Sequence, residues 1–287
     1  MNDYIIYTDS ACDIDGEMLK EWGVMYRSLT FLFADSSIQF SNDDMSPKNF
    51  YKKMREGGVA KTSAVNINTF IDAFTEALNE GKDILYIGFS TGLSTTAESA
   101  ESAARELRPK YPERKIITID TLCASGGLGL ILYLAVLQKR AGKSIEDVEE
   151  YVRDMMPHLC HWFTVEDLVY LRRGGRIGRS VALVGSVLGI KPVMHVDNEG
   201  HLVKTDKARG RRASIKALAD KYDELCINHS MPVFISHGDC EDDARLLADM
   251  IREKHGEKEF LITFVGPVIG AHSGPGTLAL FFIGSER

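Results

Sequence analysis

The sequence predicts an α/β protein of two domains, an N-terminal three-layer αβα domain on a parallel sheet (residues 1–157) and a C-terminal α+β domain (residues 158–287). Three observations predict the architecture. Short apolar runs alternate with helical stretches through the first half, which implies a parallel sheet covered on both faces. After Met156 the pattern changes to hairpins mixed with helices. No internal repeat or low-complexity linker separates the halves, so they are expected to pack firmly.

In chain order, Tyr4 to Tyr7 is a short buried-strand signal and Asp15 to Glu21 the helix after it. Apolar residues at helical spacing mark Asn68 to Leu78, ending at Gly81. Asp83 to Gly88 is the second strand, followed by a helix from Ser94 to Leu107. Lys115 to Ile119 is the third, followed by a glycine-rich turn, the apolar helix Leu128 to Lys139 and the helix Ser144 to Met156. In the second half Trp162 to Val165 and Ile190 to Val196 read as strands. Asp197 to Gly200 is the turn into a hairpin partner, His201 to Thr205. Helices from Arg211 to Leu225 and Asp242 to Lys254 flank the strand Pro232 to Ser236. The chain closes with strands Phe260 to Val265 and Leu278 to Ile283.

With 44% hydrophobic and 26% charged residues among 287, the composition is that of a soluble globular protein. No apolar run approaches the roughly 20 residues that cross a bilayer, and the first residues lack a signal peptide's basic and apolar regions. Stable membrane insertion is therefore not expected. Five cysteines, odd in number and never spaced as CxxC, point to reduced thiols in a cytoplasm rather than a disulfide framework or structural zinc. His158, Cys160 and His161 form a metal-like cluster without a distant partner pair, read here as the structural end of a helix. Neither metal nor cofactor is expected.

The net charge of −7 is unevenly spread. From Arg172 to Lys216 eleven Lys/Arg stand against three acids, a local balance of +8 that leaves −15 on the remainder. Such an island suggests an anionic or acidic partner at one face. Nucleic acid is not the expected target, because aromatic residues do not interleave with the basic ones and the rest of the chain is acidic.

The most informative stretch runs from Gly266 to Thr277, where His272, a serine and a threonine sit among four glycines and two prolines. It reads either as a rigid loop presenting polar groups to a ligand or as a tight hairpin with a solvated histidine. Hydroxyls also gather at Thr8-Asp9-Ser10, Lys61-Thr62-Ser63, Ser90 to Thr96 and Asp120 to Ser125. Each is explicable as helix capping. Four such loops at one edge of one sheet instead suggest a site for an anion. There is no G-x-x-x-x-G-K-[ST], no full dinucleotide fingerprint and no G-x-S-x-G elbow. A stand-alone phosphatase or esterase using Asp9 or Ser94 is carried as the alternative.

These segments, in this order, resemble the DegV family. The matching pieces are Ile6 to Ser10, Thr62-Ser63, Ser90 to Thr95, Ile119 to Thr121 and Ser125 to Gly127. In the second half they are Leu168 to Arg176, Gly189 to Val193 and Gly270 to Gly276, so the resemblance spans residues 3 to about 283. It implies a bacterial fatty-acid-binding protein with the acyl chain between two α/β domains. The protein would be a lipid carrier rather than an enzyme by itself, acting as a subunit of fatty acid kinase. It presents the carboxylate to a separate ATP-binding, dihydroxyacetone-kinase-like subunit, which forms the acyl phosphate.

Carried over by position, the resemblance assigns carboxylate binding to Thr62, Ser94 and His272. Arg173 or Arg176 falls near the head group or its phosphate, with Ser63 and Thr95 alongside. Ala64-Val65 and Thr95 depart from the family's usual residues, and Thr95 in place of glycine adds bulk beside the head group. Leu93, Val187, Leu188 and Ile269 are tunnel candidates. Lys204, Lys207, Arg209, Arg211 and Arg212 lie outside the ligand motifs and are assigned to partner docking.

Overall fold

The structure, a computed structural model, describes residues 3–177 and 189–287. Val187 and Leu188 therefore lie outside the described residues. The first half runs β1 (Tyr4–Asp9), α1 (Gly16–Trp22), β2 (Val24–Arg27), β3 (Thr30–Phe33), β4 (Gln39–Ser41), α2 (Pro47–Arg55) and β5 (Ala60–Ser63). It continues α3 (Ile67–Asn79), β6 (Asp83–Phe89), α4 (Thr96–Leu107), β7 (Ile116–Cys123), α5 (Gly126–Arg140) and α6 (Ile145–Met155). The second half runs β8 (Leu159–Thr164), α7 (Val169–Arg173), β9 (Ile190–Val196), β10 (Leu202–Arg209), α8 (Arg211–Leu225) and β11 (Val233–His237). It ends α9 (Glu241–His255), β12 (Phe260–Phe264), α10 (Pro267–Ser273) and β13 (Leu278–Ile283).

β2, β1, β6 and β7 form a wholly parallel sheet in that order. Every residue of β6 is buried, as its nearly continuous apolar run requires of a central strand covered on both faces. Helix α3 turns Phe70, Ala73, Phe74, Ala77 and Leu78 inward, the stripe its helical spacing dictates, and Asn66 caps its start by accepting from Thr69 N at 3.0 Å. The second sheet is mixed, ordered β10-β9-β8-β13-β11-β12, with only β11 and β12 parallel.

Helix α5 joins the halves. It is apolar around most of its circumference, and such a helix must be enclosed on all sides. It touches β6 and β7 of the parallel sheet and β8, β11 and β13 of the mixed one. Phe234, Ala279 and Phe281 accordingly share one core cluster with Ile6, Ile87 and Leu132. A second cluster lies on the outer face of the mixed sheet beneath α8 and α9.

Two expectations are corrected. Residues 24–63, left without elements by pattern, form β2, the helix α2 and a separate antiparallel sheet ordered β4-β3-β5. Thr62 stands on that small sheet, so the hydroxyl segments do not share one sheet edge. The stretch between β12 and β13 is neither a loop throughout nor a hairpin. β11 separates the two strands, and the stretch contains α10. Proline is tolerated at a helix's first turn, where Pro267 sits, and Gly274, at φ 83°, ends the helix.

Candidate functional site

Contacts from the first quarter of the chain hold α10 in place. Asp13 Oδ1 accepts from Gly266 N at 2.9 Å and Asn42 Oδ1 from Val268 N at 3.0 Å. The Tyr51 hydroxyl donates to the Val265 carbonyl at 2.8 Å. Asp13 is fully buried and its other oxygen accepts from the Ser125 hydroxyl. Burial pushes its carboxyl up to about 7, opposed by these hydrogen bonds.

So held, α10 places His272 Nε2 2.7 Å from Thr62 Oγ1 on β5. The other nitrogen, Nδ1, is buried against Gly174, where a Cβ would fall 2.1 Å away. Gly174, which follows Arg173, thus makes room for the imidazole. Burial, and then the charge of Arg176, hold His272 down to about 4, so the ring is neutral at neutral pH. Ser273 beside it has a buried hydroxyl with no hydrogen-bond partner among the described residues.

These residues line a cavity of about 560 Å³ bordered by all three sheets, within the range of about 300–1,000 Å³ usual for small-molecule sites. Its head holds Thr62, His272, Ser273, Ser94, Thr95 and Arg176, and its walls include Leu93, Phe163, Ile269, Ala279 and Phe281. Arg176 is half-buried and donates to the carbonyls of Leu93 and Gly174, which ties the loop before α4 to the segment after α7. The hairpin of β9 and β10 contributes Val196 and Leu202. Its turn rests on the loop before α4, where the Ser90 hydroxyl donates to the Gly200 carbonyl at 3.0 Å.

The cavity separates the sequence candidates. Thr62, Ser94, Thr95, Arg176, His272, Leu93 and Ile269 line it together. Ser63 and Arg173 are exposed and not among its lining, and the Arg173 guanidinium lies 5.8 Å from the centre of the Tyr170 ring. Several hydroxyls that suggested an anion site serve the fold instead. Thr8 donates to the Ile87 carbonyl at 2.8 Å, Thr121 to Gly88 at 2.7 Å, and Ser10 accepts from Leu29 N at 3.0 Å. Asp9 is fully buried off the cavity, accepting from the Tyr86 hydroxyl at 2.7 Å and from Phe89 N and Ala11 N. Both of its oxygens are therefore occupied by donors of the fold itself. Ser94 Oγ pairs with the Thr96 hydroxyl at 2.9 Å and accepts from Thr96 N, with no histidine or carboxylate activating it among the described residues.

The basic residues also divide. Lys204, Lys207 and Arg209 lie along β10, and Arg212 lies in the first turn of α8, the last three exposed. Arg211, expected at a docking face, is instead mostly buried and paired with Asp243 at 2.8 Å and Glu166 at 3.5 Å. Its anionic partners offset the unfavourable helix N-terminus. Two residues escaped the sequence reading. Ser273 is not distinguished by pattern from its glycine-rich surroundings, and His161, expected at the end of a helix, lies on β8 in the cavity wall. Strand alternation was the available signal, since it puts His161 and Phe163 on one face and Cys160 and Trp162 on the other.

A family model described as "Uncharacterised protein, DegV family" matches residues 4–285. A DegV domain-containing protein of Clostridium perfringens is 42% identical, over 100% of this chain and 99% of its own length. Among solved structures, a DegV lipid binding protein from Thermotoga maritima superposes with a TM-score of 0.85 at 28% identity, covering 99% of each chain. A DegV family protein from Thermus thermophilus, described by its fatty acid binding, gives 0.86 at 27% identity over 98% of this chain and 99% of its own.

Proposed function

The chain belongs to the DegV family, and from that premise and the cavity we propose that it binds a long-chain fatty acid in this cavity, with the carboxylate at Thr62, Ser94 and His272. The observation that carries this reading is a cavity that brings Thr62, Ser94, His272, Ser273 and Arg176 together with apolar walls from Leu93, Phe163, Ile269, Ala279 and Phe281. Lipid and fatty acid binding by the solved relatives supports it. A neutral imidazole and hydroxyls hold a carboxylate by hydrogen bonds, without the desolvation balance of a buried ion pair. Arg176 supplies positive charge nearby. Burying the tail contributes about 0.8 kcal/mol per CH₂, so a sixteen-carbon chain has on the order of 10 kcal/mol gross to offset ordering.

In the finer reading, the protein is a cytoplasmic carrier that presents the carboxylate to an ATP-dependent, dihydroxyacetone-kinase-like subunit for acyl-phosphate formation. Of the two candidate arginines, the lining position of Arg176 favours it for the incoming phosphate. His272 then bridges carboxylate and acyl phosphate. The exposed Lys207, Arg209 and Arg212, with Lys204 beside them, are assigned to docking. Native mass spectrometry with organic extraction tests the binding step. The protein is expected to carry fatty acid as purified, or to take up palmitate or oleate after delipidation. A clean mass with no uptake overturns the reading. Addition of ATP and the kinase subunit tests the second step by acyl-phosphate yield.

A further inference from the structure

The cavity wall carries a seam between two parts of the chain. On one side stand Gly92 and Leu93, in the loop that follows β6 of the parallel sheet. On the other stand Val196 and Leu202, which face each other across the hairpin of β9 and β10 in the mixed sheet. The Ser90 hydroxyl bridges the seam, donating to the Gly200 carbonyl at 3.0 Å. Among the described residues no other hydrogen bond leaves the turn 197–201. The contact is backbone against backbone. A Cβ on Gly92 would fall 2.7 Å from the Gly200 oxygen, and one on Gly200, at φ 78°, would fall 2.2 Å from Ser90 Oγ.

The end of the hairpin is the least supported of the described walls. β8 and β13 lie inside the mixed sheet, and α10 is held by Asp13, Asn42 and Tyr51. β10, in contrast, is an edge strand paired only with β9. The ladder of β9 with β8 covers Val193 to His195, so Val196 and the turn lie past it. Thr205 is an extra residue in β10 between Lys204 and Asp206, a bulge of the kind that bends a strand. The turn itself is stiff, because Asp197 Oδ1 accepts from Glu199 N at 3.0 Å and from His201 N at 2.8 Å. Its tip therefore moves as one piece.

We propose that the end of this hairpin is the gate through which the acyl chain enters and leaves, and that Ser90 is its latch. This rests on the acyl-binding reading and names how that site is loaded. Val196 is only 3% exposed, and a chain lodged beneath it reaches its place only if part of the wall moves. One neutral hydrogen bond is weak enough to break and re-form, while burial of Val196 and Leu202 keeps the gate mostly shut. Ser90 is a positioning residue and does not line the cavity. Its carbonyl accepts from Leu93 N and Ser94 N, both at 3.1 Å, so the latch sits on the turn that presents Ser94 to the head group.

The test separates rates from affinity. Delipidated full-length protein is loaded with a fluorescent fatty acid in stopped flow, and release is followed on adding excess stearate. In Ser90→Ala the Gly200 carbonyl loses its donor only while the gate is shut. Loading and release should therefore both quicken about three- to tenfold, with equilibrium affinity within about twofold of wild type. A merely structural loss would lower affinity or unfolding temperature without quickening both rates. In the opposite direction, Thr91→Cys and Glu199→Cys, exposed positions flanking the contact, are joined by a short bismaleimide. Mass spectrometry confirms the product, and treated wild type controls for the half-exposed Cys226 and Cys240. The joined protein should load and release at least about tenfold more slowly than the same variant unjoined. The proposal is overturned if joining leaves both rates unchanged, or if folded Ser90→Ala keeps wild-type rates or loses affinity without quicker release. Should Ser90→Ala not fold, the joined variant decides alone. Failure of stearate to bind the wild type would instead remove the acyl-binding reading beneath it.

Discussion

Thr62 Oγ1 and His272 Nε2 lie 2.7 Å apart although 210 positions separate them in the chain. One sits on the edge strand β5 of a small antiparallel sheet, the other on a seven-residue helix inserted between two strands of a different sheet. If this pair receives the carboxylate, Thr62→Val removes a hydrogen bond from the head group and leaves the imidazole unpaired. Fatty acid affinity is expected to fall about 10- to 100-fold, with unfolding temperature little changed, in displacement and calorimetric measurements. Affinity within twofold of wild type would place the carboxylate elsewhere.

The neutral state of His272 carries a pH signature. Its folded pKa, about 4, lies below the ordinary 6.5 expected when unfolded, so the unfolded chain binds the proton more readily between those values. The stabilisation is complete above pH 6.5 and is lost as pH falls toward 4, on the order of 3 kcal/mol in all. Denaturant titrations of ligand-free wild type and His272→Gln across pH 4–8 should show the wild type losing ground toward acid. A pH-independent difference contradicts the assignment.

Asp13 works in the opposite sense. Its carboxyl is raised to about 7, so the folded state holds the proton more tightly and the contribution is full below pH 3.8 and lost as pH rises through 7. Asn at this position keeps an acceptor for Gly266 N and offers a donor to Ser125, and it tolerates the left-handed backbone at φ 54°. Asp13→Asn is expected to gain stability relative to wild type at pH 8, by about 1–2 kcal/mol, and much less at pH 5. Equal effects at both pH values would contradict burial as the cause of the raised pKa.

Arg176 and Arg173 flank the same two glycines but stand in different surroundings. Arg176 borders the cavity and holds Leu93 and Gly174, while Arg173 is exposed beside Tyr170. Arg176→Ala should reduce acyl-phosphate formation with a kinase subunit by at least about tenfold. Arg173→Ala should stay within about twofold, as usual for an exposed side chain. The reverse order would exchange their roles.

The basic surface yields a split between docking and stability. Arg209→Glu with Arg212→Glu is expected to slow association with the kinase subunit, most strongly at low salt, and to leave the unfolding temperature within a degree or two. Arg211→Glu should instead lower that temperature by about 4 °C or more, because it sets a carboxylate against Glu166 and Asp243. Equal loss of stability in both would make the whole island structural.

Local pattern alone determined much of this protein. The bounds of α8 and β9 follow directly from helical spacing and from an apolar, β-branched run. The apolar run from Leu128 marked the helix α5, and the glycine- and hydroxyl-rich segments marked Thr62, Ser94 and His272 among the residues that line the cavity. Such signals are local because they record which face of an element avoids water. Tertiary structure decided what those faces meet. The strands β3 to β5 are short and half-exposed, so their pattern is weak, and only the partnering of β5 with β3 brings Thr62 to His272. Helix α10 is too short to show a period, and it is fixed by Asp13, Asn42 and Tyr51 from more than 200 residues away. Thr8, Asp9 and Thr121 resemble ligand-binding groups in sequence, yet backbone and side-chain partners inside the fold satisfy them. A polar side chain reads identically in sequence whether its partner is the protein or a ligand, because that partner is chosen by the packing of distant elements.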